Sequence, residues 1–385
     1  MKHRFISKRF WKDYSTAMSS SYDLARKFDD CINLSLGDPD LITDSRIIKA
    51  AMEDALAGHT KYTDFRGDPE LRKAIADYYR DDLGITIKDE EIMVSCACLA
   101  MNLSLQAILD PGDEVIIHAP YYTQYPQQIQ LAGGVPVVLP TFEEEDFQIN
   151  VDRLKSLITE RTKAIVINSP NNPTGSCFTK ETMENIAKIA IENDLVIISD
   201  EIYSLYSFQN PFMSMLQIAD VKDRTIVINS FSKDYTMTGW RIGHIIAPEF
   251  LVNVIRQISE KLVFTYPSIS QRAALYAMEH RHQIQPAMRE EYKNRVFYAA
   301  KRINRIPNMS VPDPKGTFYL FFNIKKTCLT SAEVSDLILK EAHVLTLPGN
   351  AFGDCGEGYI RIACTVGIDK LAEAFDRIEK MDIFK

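Results

Sequence analysis

The chain has 385 residues, of which 46% are hydrophobic and 25% are charged. These values suit a folded globular protein and exclude a disordered chain, a collagen-like repeat and a disulfide miniprotein. Its 44 Lys and Arg against 52 Asp and Glu give a net charge of −8, which argues against a general nucleic-acid or anionic-membrane surface. At about 150 residues per domain, this length predicts two domains, or one large domain with an appendage.

Seven cysteines are scattered along the chain, and neither a secretory signal nor a run of about 20 apolar residues accompanies them. We therefore expect a reduced, cytoplasmic protein. Two of the cysteines form a C-x-C pair, Cys96 and Cys98. Because there is no second pair and no His at zinc-finger spacing, the sequence predicts no metal site.

Four short β-branched runs, each followed by polar residues, mark the central part of the chain at 115–117, 164–167, 195–198 and 225–228. Continuous apolar runs of this kind are typical of strands buried on both faces of a parallel sheet. Helical periods lie between them, and Thr179 is a predicted N-cap. Strands separated by helices predict right-handed βαβ crossovers and an open α/β sheet.

The pattern changes after about residue 280. Helices are predicted over 292–303, 332–342 and 371–378, and strands over 318–322 and 359–364. We therefore expect a three-layer αβα large domain with a mostly parallel sheet over residues 45–280 and a smaller α+β domain over 281–385. The N-terminal segment 1–44 is predicted to pack with the small domain.

Polar clusters at the ends of the predicted strands are candidates for a functional site, because ligands of open α/β sheets bind beyond the carboxyl ends of the strands. The clusters occupy 169–175, 199–203, 229–233 and 239–243. Each one alone would suit a turn, a helix cap or a solvated surface. Their order is more informative, because Lys233 follows Asp200 by about one βαβ unit and Arg241 follows Lys233 by eight residues.

Together these strings resemble the class I aminotransferases, which are pyridoxal-phosphate (PLP) enzymes of fold type I. The resemblance extends from about Leu34 to near the C-terminus. It implies that an amino group moves from an L-amino acid to a 2-oxo acid through a ping-pong cycle. The strings that carry it are Asn171-Asn172-Pro173-Thr174-Gly175, Asp200-x-x-Tyr203, Ser230-x-x-Lys233 with Arg241, and Tyr359-Ile360-Arg361.

The resemblance implies roles for five residues around the cofactor ring. Lys233 would carry PLP as a Schiff base and then transfer a proton, and Asp200 would pair with the pyridine nitrogen. Tyr203 and Asn172 would hydrogen-bond the phenolic oxygen of the ring. Tyr122 occupies the position of the aromatic residue that stacks on the ring.

A second implied group would bind the cofactor's phosphate. It consists of Ser230 and Arg241 together with the turn residues Cys96, Ala97 and Cys98. Ser232 is a further implied cofactor-binding residue. The turn precedes a predicted helix that runs to Leu109, and a helix N-terminus offers backbone N–H donors to an anion. Family members usually carry Gly, Ser or Thr in this turn, so a side-chain hydroxyl is lost at Cys98 while the backbone donors remain.

The substrate is expected at Arg361, Gly37 and Asn172. Arg361 would grip the α-carboxylate with its planar guanidinium, although the residues alone leave an internal ion pair open. Gly37 matches a segment where the backbone approaches the substrate closely. Tyr62 matches a residue that reaches the phosphate of the neighbouring subunit, which implies a homodimer.

The substrate side chain is less well defined by the sequence. Some family members that act on dicarboxylates place a Lys at the position of Cys98, where it meets the distal carboxylate. This chain has no cation there, which disfavours an aspartate or glutamate specialist, although other Arg or Lys residues could serve.

Other functions stay open at this point. A PLP-dependent C–S β-lyase or amino-acid decarboxylase would use the same fold and cofactor. A non-catalytic PLP-binding sensor is disfavoured because about 35 residues precede Gly37, which leaves no room for a DNA-binding unit. A nucleotide-dependent enzyme is disfavoured because neither G-x-G-x-x-G nor G-x-x-x-x-G-K-[ST] occurs.

Overall fold

The computed structural model describes residues 3–11 and 26–385. Part of the predicted N-terminal segment 1–44 therefore lies outside the described residues. The strands are β1 (Ile32–Asn33), β2 (Ile92–Ser95), β3 (Glu114–Ala119), β4 (Val135–Pro140), β5 (Thr162–Asn168), β6 (Val196–Asp200), β7 (Thr225–Ser230), β8 (Gly243–Ile246), β9 (Tyr319–Asn323), β10 (Val344–Leu345), β11 (Leu347–Pro348) and β12 (Tyr359–Ala363).

The helices lie between and after these strands. They are α1 (Ser45–Leu56), α2 (Pro69–Leu83), α3 (Ala97–Ile108), α4 (Tyr125–Leu131), α5 (Val151–Leu157), α6 (Lys180–Glu192), α7 (Phe231–Asp234), α8 (Glu249–Leu262), α9 (Ser268–Glu279), α10 (Arg281–Ile303), α11 (Ser331–Ala342) and α12 (Ile368–Ile378). The predicted N-cap of α6 is confirmed, because the Thr179 hydroxyl accepts a hydrogen bond from the backbone N–H of Thr182 at 3.1 Å.

The central sheet has seven strands in the order β2-β8-β7-β6-β5-β3-β4. Strands β4, β3, β5, β6 and β7 pair in parallel, whereas β8 runs antiparallel to both of its neighbours, β2 and β7. The prediction of an α/β fold with a mostly parallel sheet is therefore confirmed.

Alternating residues of one strand supply the cores on the two faces of this sheet. Val166 of β5 packs into one apolar cluster together with Ile198 of β6. Ile165 and Ile167 pack into a second cluster with Ile197 and residues of α6. Because both faces are covered by helices, the strand has no polar alternation, which explains the continuous apolar runs in the sequence.

The C-terminal part contains a three-stranded antiparallel sheet in the order β11-β12-β9. Strand β1 pairs in parallel with β10, and Ile32 lies opposite Val344, so a piece of the N-terminal segment packs against this part of the chain. The division of the chain into domains at residues 45 and 280 stays a prediction.

Helix α10 begins at Arg281, eleven residues before the predicted start at 292. Its first half is mostly polar, with Ile284 and Met288 as buried apolar residues one turn apart, and it contains Pro286. A helix with a weak apolar period and an internal proline is difficult to predict from its sequence pattern. Among the described residues, no helix has the length and apolar character needed to cross a membrane.

Candidate active site

The sheet brings the polar clusters to one edge. Asn168 at the end of β5 lies opposite Asp200 at the end of β6, and β7 ends at the neighbouring Ser230. The fourth cluster, 239–243, does not follow a strand as expected. It precedes β8, and because β8 is antiparallel to β7, Gly243 lies opposite Ser230 and the cluster reaches the same edge.

A cavity of about 470 Å³ opens at this edge, a size that suits a small organic ligand. Most of the sequence-predicted site residues line it, and Cys96 and Tyr62 do not. The predicted residues that line it are Gly37, Ala97, Cys98, Tyr122, Asn172, Asp200, Tyr203, Ser230, Ser232, Lys233, Arg241 and Arg361.

Lys233 lies on the short helix α7, directly after β7. Its Nζ donates a hydrogen bond to the carbonyl oxygen of Gly37 at 2.5 Å. Removal of water from the ammonium group lowers the pKa of Lys233 to about 8; the charge of Asp38 opposes this shift, and that of Arg241 adds to it. A lysine in this state supplies a neutral amine far more readily than a solvated one.

Asp200 is a buried carboxylate with few partners. Its Oδ2 accepts a hydrogen bond from the hydroxyl of Tyr125 at 2.5 Å, and its Oδ1 accepts one from the backbone N–H of Ile202 at 3.3 Å. Burial raises the pKa of Asp200 to about 6, and both hydrogen bonds oppose the rise. The group is therefore suited to hold a cation or an N–H donor in the cavity.

Arg361 is 1% exposed and forms no ion pair within 4 Å in the described part of the chain. Its Nη1 donates to Oδ1 of Asn172 at 3.1 Å and its Nη2 donates to the carbonyl oxygen of Ser35, while its Nε has no partner among the described residues. The rings of Tyr319 and Phe352 flank the guanidinium at 4.5 and 5.0 Å. A buried cation without a counter-ion is costly, which favours an anionic ligand over the internal ion pair.

The predicted phosphate contacts lie around the start of α3. No side chain caps this helix, so its first N–H groups are open to an anion. Arg241 is exposed, has a left-handed backbone with φ of 55°, and donates from Nη1 to the carbonyl oxygen of Thr238 at 2.8 Å. The Ser230 hydroxyl accepts from the backbone N–H of Ser232 at 3.1 Å.

Gly37 is required by a close approach. A Cβ built on this residue would lie 1.7 Å from the hydroxyl oxygen of Tyr319, so no larger residue fits without movement. The same hydroxyl accepts a hydrogen bond from the buried Tyr203 at 3.2 Å. The tight contact predicted for Gly37 is thus present, with a tyrosine as its neighbour.

Several cavity residues were missed by the sequence reasoning, among them Asp38, Tyr125 and Tyr319. Tyr319 stands in the predicted strand 318–322, where its aromatic neighbours make it read as a core residue. Tyr125 begins α4, a helix that was not predicted. Its separation from Tyr122 by three residues, about one helical turn, is a signal that could have found it.

Comparison with known proteins identifies the family. The model of the family described as aminotransferase class I and II matches residues 29–378. The chain belongs to this family. It is a PLP-dependent transaminase, and the predictions of an aminotransferase and of PLP as cofactor are confirmed.

Relatives that are named for an activity cover nearly the whole chain. An aspartate aminotransferase of Pyrococcus abyssi is 41% identical over 94% of both chains, and aromatic-amino-acid aminotransferase 2 of Thermococcus litoralis is 39% identical over the same share of each. Among solved structures, the aromatic aminotransferase of Pyrococcus horikoshii OT3 is 39% identical with a TM-score of 0.89, covering 94% of this chain and 98% of that one. The aspartate aminotransferase of Thermus thermophilus with maleate is 32% identical with a TM-score of 0.92, covering 98% and 100%.

The chemistry of the cavity fits PLP. The cofactor carries an aldehyde, a pyridine nitrogen and a phosphate. The cavity offers the Lys233 amine, the Asp200 carboxylate, and the open N-terminus of α3 beside Arg241. Each of these three groups of the cofactor therefore has a complementary group in the cavity.

Proposed function

We propose that Lys233 holds PLP covalently through its amine and then carries the proton that leaves Cα of the amino acid substrate. The observation that supports this most directly is its position in the cavity with a pKa lowered to about 8. At that pKa about a tenth of the amine is neutral at pH 7, against less than about a thousandth for a solvated lysine. A neutral amine can both attack an aldehyde and accept a proton.

Asp200 would pair with the pyridine nitrogen of the cofactor. When bound, the cofactor supplies an electron sink that stabilises negative charge at Cα of the amino acid. A buried carboxylate against the ring nitrogen would keep that nitrogen protonated and so strengthen the sink. Tyr122 would stack on the ring, and Tyr203 would donate to its phenolic oxygen.

Arg361 would bind the α-carboxylate of the amino acid. Its guanidinium is held by Asn172 and by the carbonyl oxygen of Ser35, which fixes the plane of the fork. Asn172 would thus orient Arg361 in addition to contacting the cofactor. The orientation of Arg361 was not part of the sequence prediction. The phosphate would bind at the N-terminus of α3 with Ser230, Ser232 and Arg241.

The amino donor is proposed to carry a large uncharged side chain. In the described part of the chain, the cavity's cations are Lys233, Arg241 and Arg361, and each already has a role above. The remaining walls include Leu36, Met101, Ile202 and Tyr319. Among the described residues, this chain's side of the cavity leaves no further cation for a second carboxylate, which favours donors like those of the aromatic-amino-acid relative over aspartate.

The active form is proposed to be a homodimer in the cytoplasm. Tyr62 is 80% exposed and packs edge-on against Phe264 at 4.8 Å between ring centroids, away from its own cavity. Leu262 is 59% exposed and Phe250 is 63% exposed on α8. Exposed apolar residues of this size favour a covered surface, across which Tyr62 would reach the partner's phosphate.

One experiment tests the activity and the donor class together. The purified holoenzyme is mixed with each of the twenty amino acids, and the loss of the visible absorbance of bound PLP is followed. Tyrosine, phenylalanine and tryptophan are expected to react faster than aspartate. Formation of ammonia and pyruvate instead of a new amino acid from 2-oxoglutarate would support the β-lyase alternative.

A further inference from the structure

Tyr125, which the sequence reasoning did not select, lies directly against Asp200. Its hydroxyl donates a hydrogen bond to Oδ2 of the carboxylate at 2.5 Å. Both groups are buried, with 3% of Tyr125 and 6% of Asp200 exposed. Tyr125 is the first residue of α4, so the helix fixes the place from which the hydroxyl donates.

The two carboxylate oxygens of Asp200 have different hydrogen-bond partners. Oδ2 is engaged by Tyr125, whereas Oδ1 has the N–H of Ile202 at 3.3 Å as its hydrogen-bond partner within residues 26–385. A contact of that length leaves Oδ1 able to accept a second, stronger donor from the cavity that Asp200 lines. Tyr125 thus limits the rotation of the carboxylate and leaves one oxygen for the ring nitrogen.

The hydrogen bond also determines which form of the carboxylate is stable. A phenol that donates stabilises the ionised carboxylate in a dry environment, where hydrogen bonds to charged groups are strong. Burial and the nearby charge of Asp200 raise the pKa of Tyr125 well above its usual value, so the hydroxyl stays protonated and remains a donor.

We propose that Tyr125 is a positioning residue that acts through Asp200, holding the carboxylate ionised and in one orientation so that the shared proton stays on the pyridine nitrogen of PLP. The inference rests on the proposed role of Asp200. It extends that role to a residue outside the predicted site.

The variant Tyr125→Phe removes the hydroxyl and keeps the ring, including its edge-on contact with Tyr122 at 5.6 Å. The matched control is Tyr235→Phe. Tyr235 is equally buried, with 3% exposed, and its hydroxyl donates to the sulfur of Met278 at 3.7 Å instead of to a carboxylate.

The first readout is the ¹⁵N chemical shift of pyridine-labelled PLP in the holoenzyme. In Tyr125→Phe we expect the signal to move towards that of the unprotonated ring, because the carboxylate becomes the more basic partner. We also expect kcat to fall about tenfold while KM for the amino donor changes little, from the loss of one hydrogen bond to a charged group. Tyr235→Phe should change neither quantity. An unchanged ¹⁵N shift in Tyr125→Phe would overturn the proposal.

The second readout is the affinity of the apoprotein for PLP in a double-mutant cycle. If Tyr125 acts through Asp200, then Tyr125→Phe weakens PLP binding in the native chain and has no further effect beside Asp200→Asn. Independent effects of the two changes would contradict the proposal.

Further results distinguish a failure of the proposed function from a failure of the positioning role of Tyr125. If Tyr125→Phe does not fold, 3-fluorotyrosine at position 125 gives a stronger donor of nearly the same size. The ¹⁵N signal must then stay at the protonated ring, and a move towards the unprotonated ring would overturn the proposal. If the unaltered protein binds no PLP, the proposed function itself has failed. If it binds PLP and transaminates but Tyr125→Phe behaves like it, the positioning role alone has failed.

Discussion

The ammonium group of Lys233 donates a hydrogen bond to the carbonyl oxygen of Gly37, 2.5 Å away, although 196 positions separate the two residues in the chain. The bond ties the end of β7 to the N-terminal segment at the cavity. The hydroxyl of Tyr319 in β9 lies close to the same glycine. The surroundings of the Lys233 ammonium group therefore form only when three distant parts of the sequence come together.

Gly37→Ala is predicted to damage this junction. The new methyl group would overlap the hydroxyl of Tyr319, because the Cβ would lie 1.7 Å from it. We expect kcat/KM to fall at least about tenfold and stability to fall by about 1–3 kcal/mol, as for other overpacked sites. Thermal unfolding and steady-state kinetics measure both. Gly367→Ala, where a Cβ meets nothing within 4 Å, is the control, and an equal loss of kcat/KM there would contradict the steric account.

The rate at which the apoprotein takes up PLP covalently is predicted to rise with pH, with a midpoint near 8. The neutral amine of Lys233 is the reactive form, and burial lowers its pKa to about 8. Stopped-flow absorbance from pH 6 to 10 measures this. Asp38→Asn should move the midpoint lower, because the charge of Asp38 raises the pKa of Lys233. A midpoint near that of a solvated lysine would show that the cavity does not desolvate the ammonium group of Lys233.

Arg361→Lys is predicted to weaken substrate binding selectively. Lysine keeps the charge but loses the planar fork that the α-carboxylate needs, so KM for the amino donor should rise by about 10- to 100-fold. The affinity of the apoprotein for PLP should change little. Arg295→Lys is a matched control, since Arg295 is 4% exposed but pairs with Asp40 and Glu291 outside the cavity. That control should lower the melting temperature and leave KM unchanged.

Cys98→Lys is predicted to shift the donor preference towards aspartate. Cys98 lines the cavity, and a cation there would supply the partner that a second carboxylate lacks. We expect the ratio of kcat/KM for aspartate to that for tyrosine to rise about tenfold or more. Cys98→Ser keeps the size without the charge and should leave the ratio unchanged. A native enzyme that already prefers aspartate would refute the proposed donor class.

Hybrid dimers test the role of Tyr62. If Tyr62 completes the partner's site, mixing Tyr62→Ala subunits with Lys233→Ala subunits creates dimers in which one site is intact. PLP affinity at that site should return to the native value, although each parent is defective. Sedimentation should give a dimer. A monomer that binds PLP as tightly as the native protein would contradict this prediction.

Local patterns in the sequence predicted the parallel strands and the polar residues that follow them. Continuous apolar runs marked β3, β5, β6 and β7, and polar residues directly after them marked Asp200 and Lys233. The resemblance to a known family then implied the roles of the individual site residues, which their spacing alone does not indicate.

The missed parts depend on tertiary contacts. The predicted start of helix α10 is too late because Pro286 and the many polar residues of its first half obscure the apolar period. Tyr319 reads as a core residue and Tyr125 was not selected, since an aromatic side chain gives no local sign of the group that its hydroxyl will meet. Strand β8 runs antiparallel to β7, and this places the cluster around Arg241 at the same edge of the sheet as the site. The direction depends on strand pairing, which the local sequence does not indicate.

The location of the covalent bond to PLP tests the role of Lys233 most directly. The holoenzyme is reduced with borohydride and digested, and the peptides are mapped by mass spectrometry. We expect the cofactor mass on the peptide that contains Lys233, and we expect Lys233→Ala to lose both this adduct and turnover. The cofactor on another lysine, or full turnover by Lys233→Ala, would contradict this role.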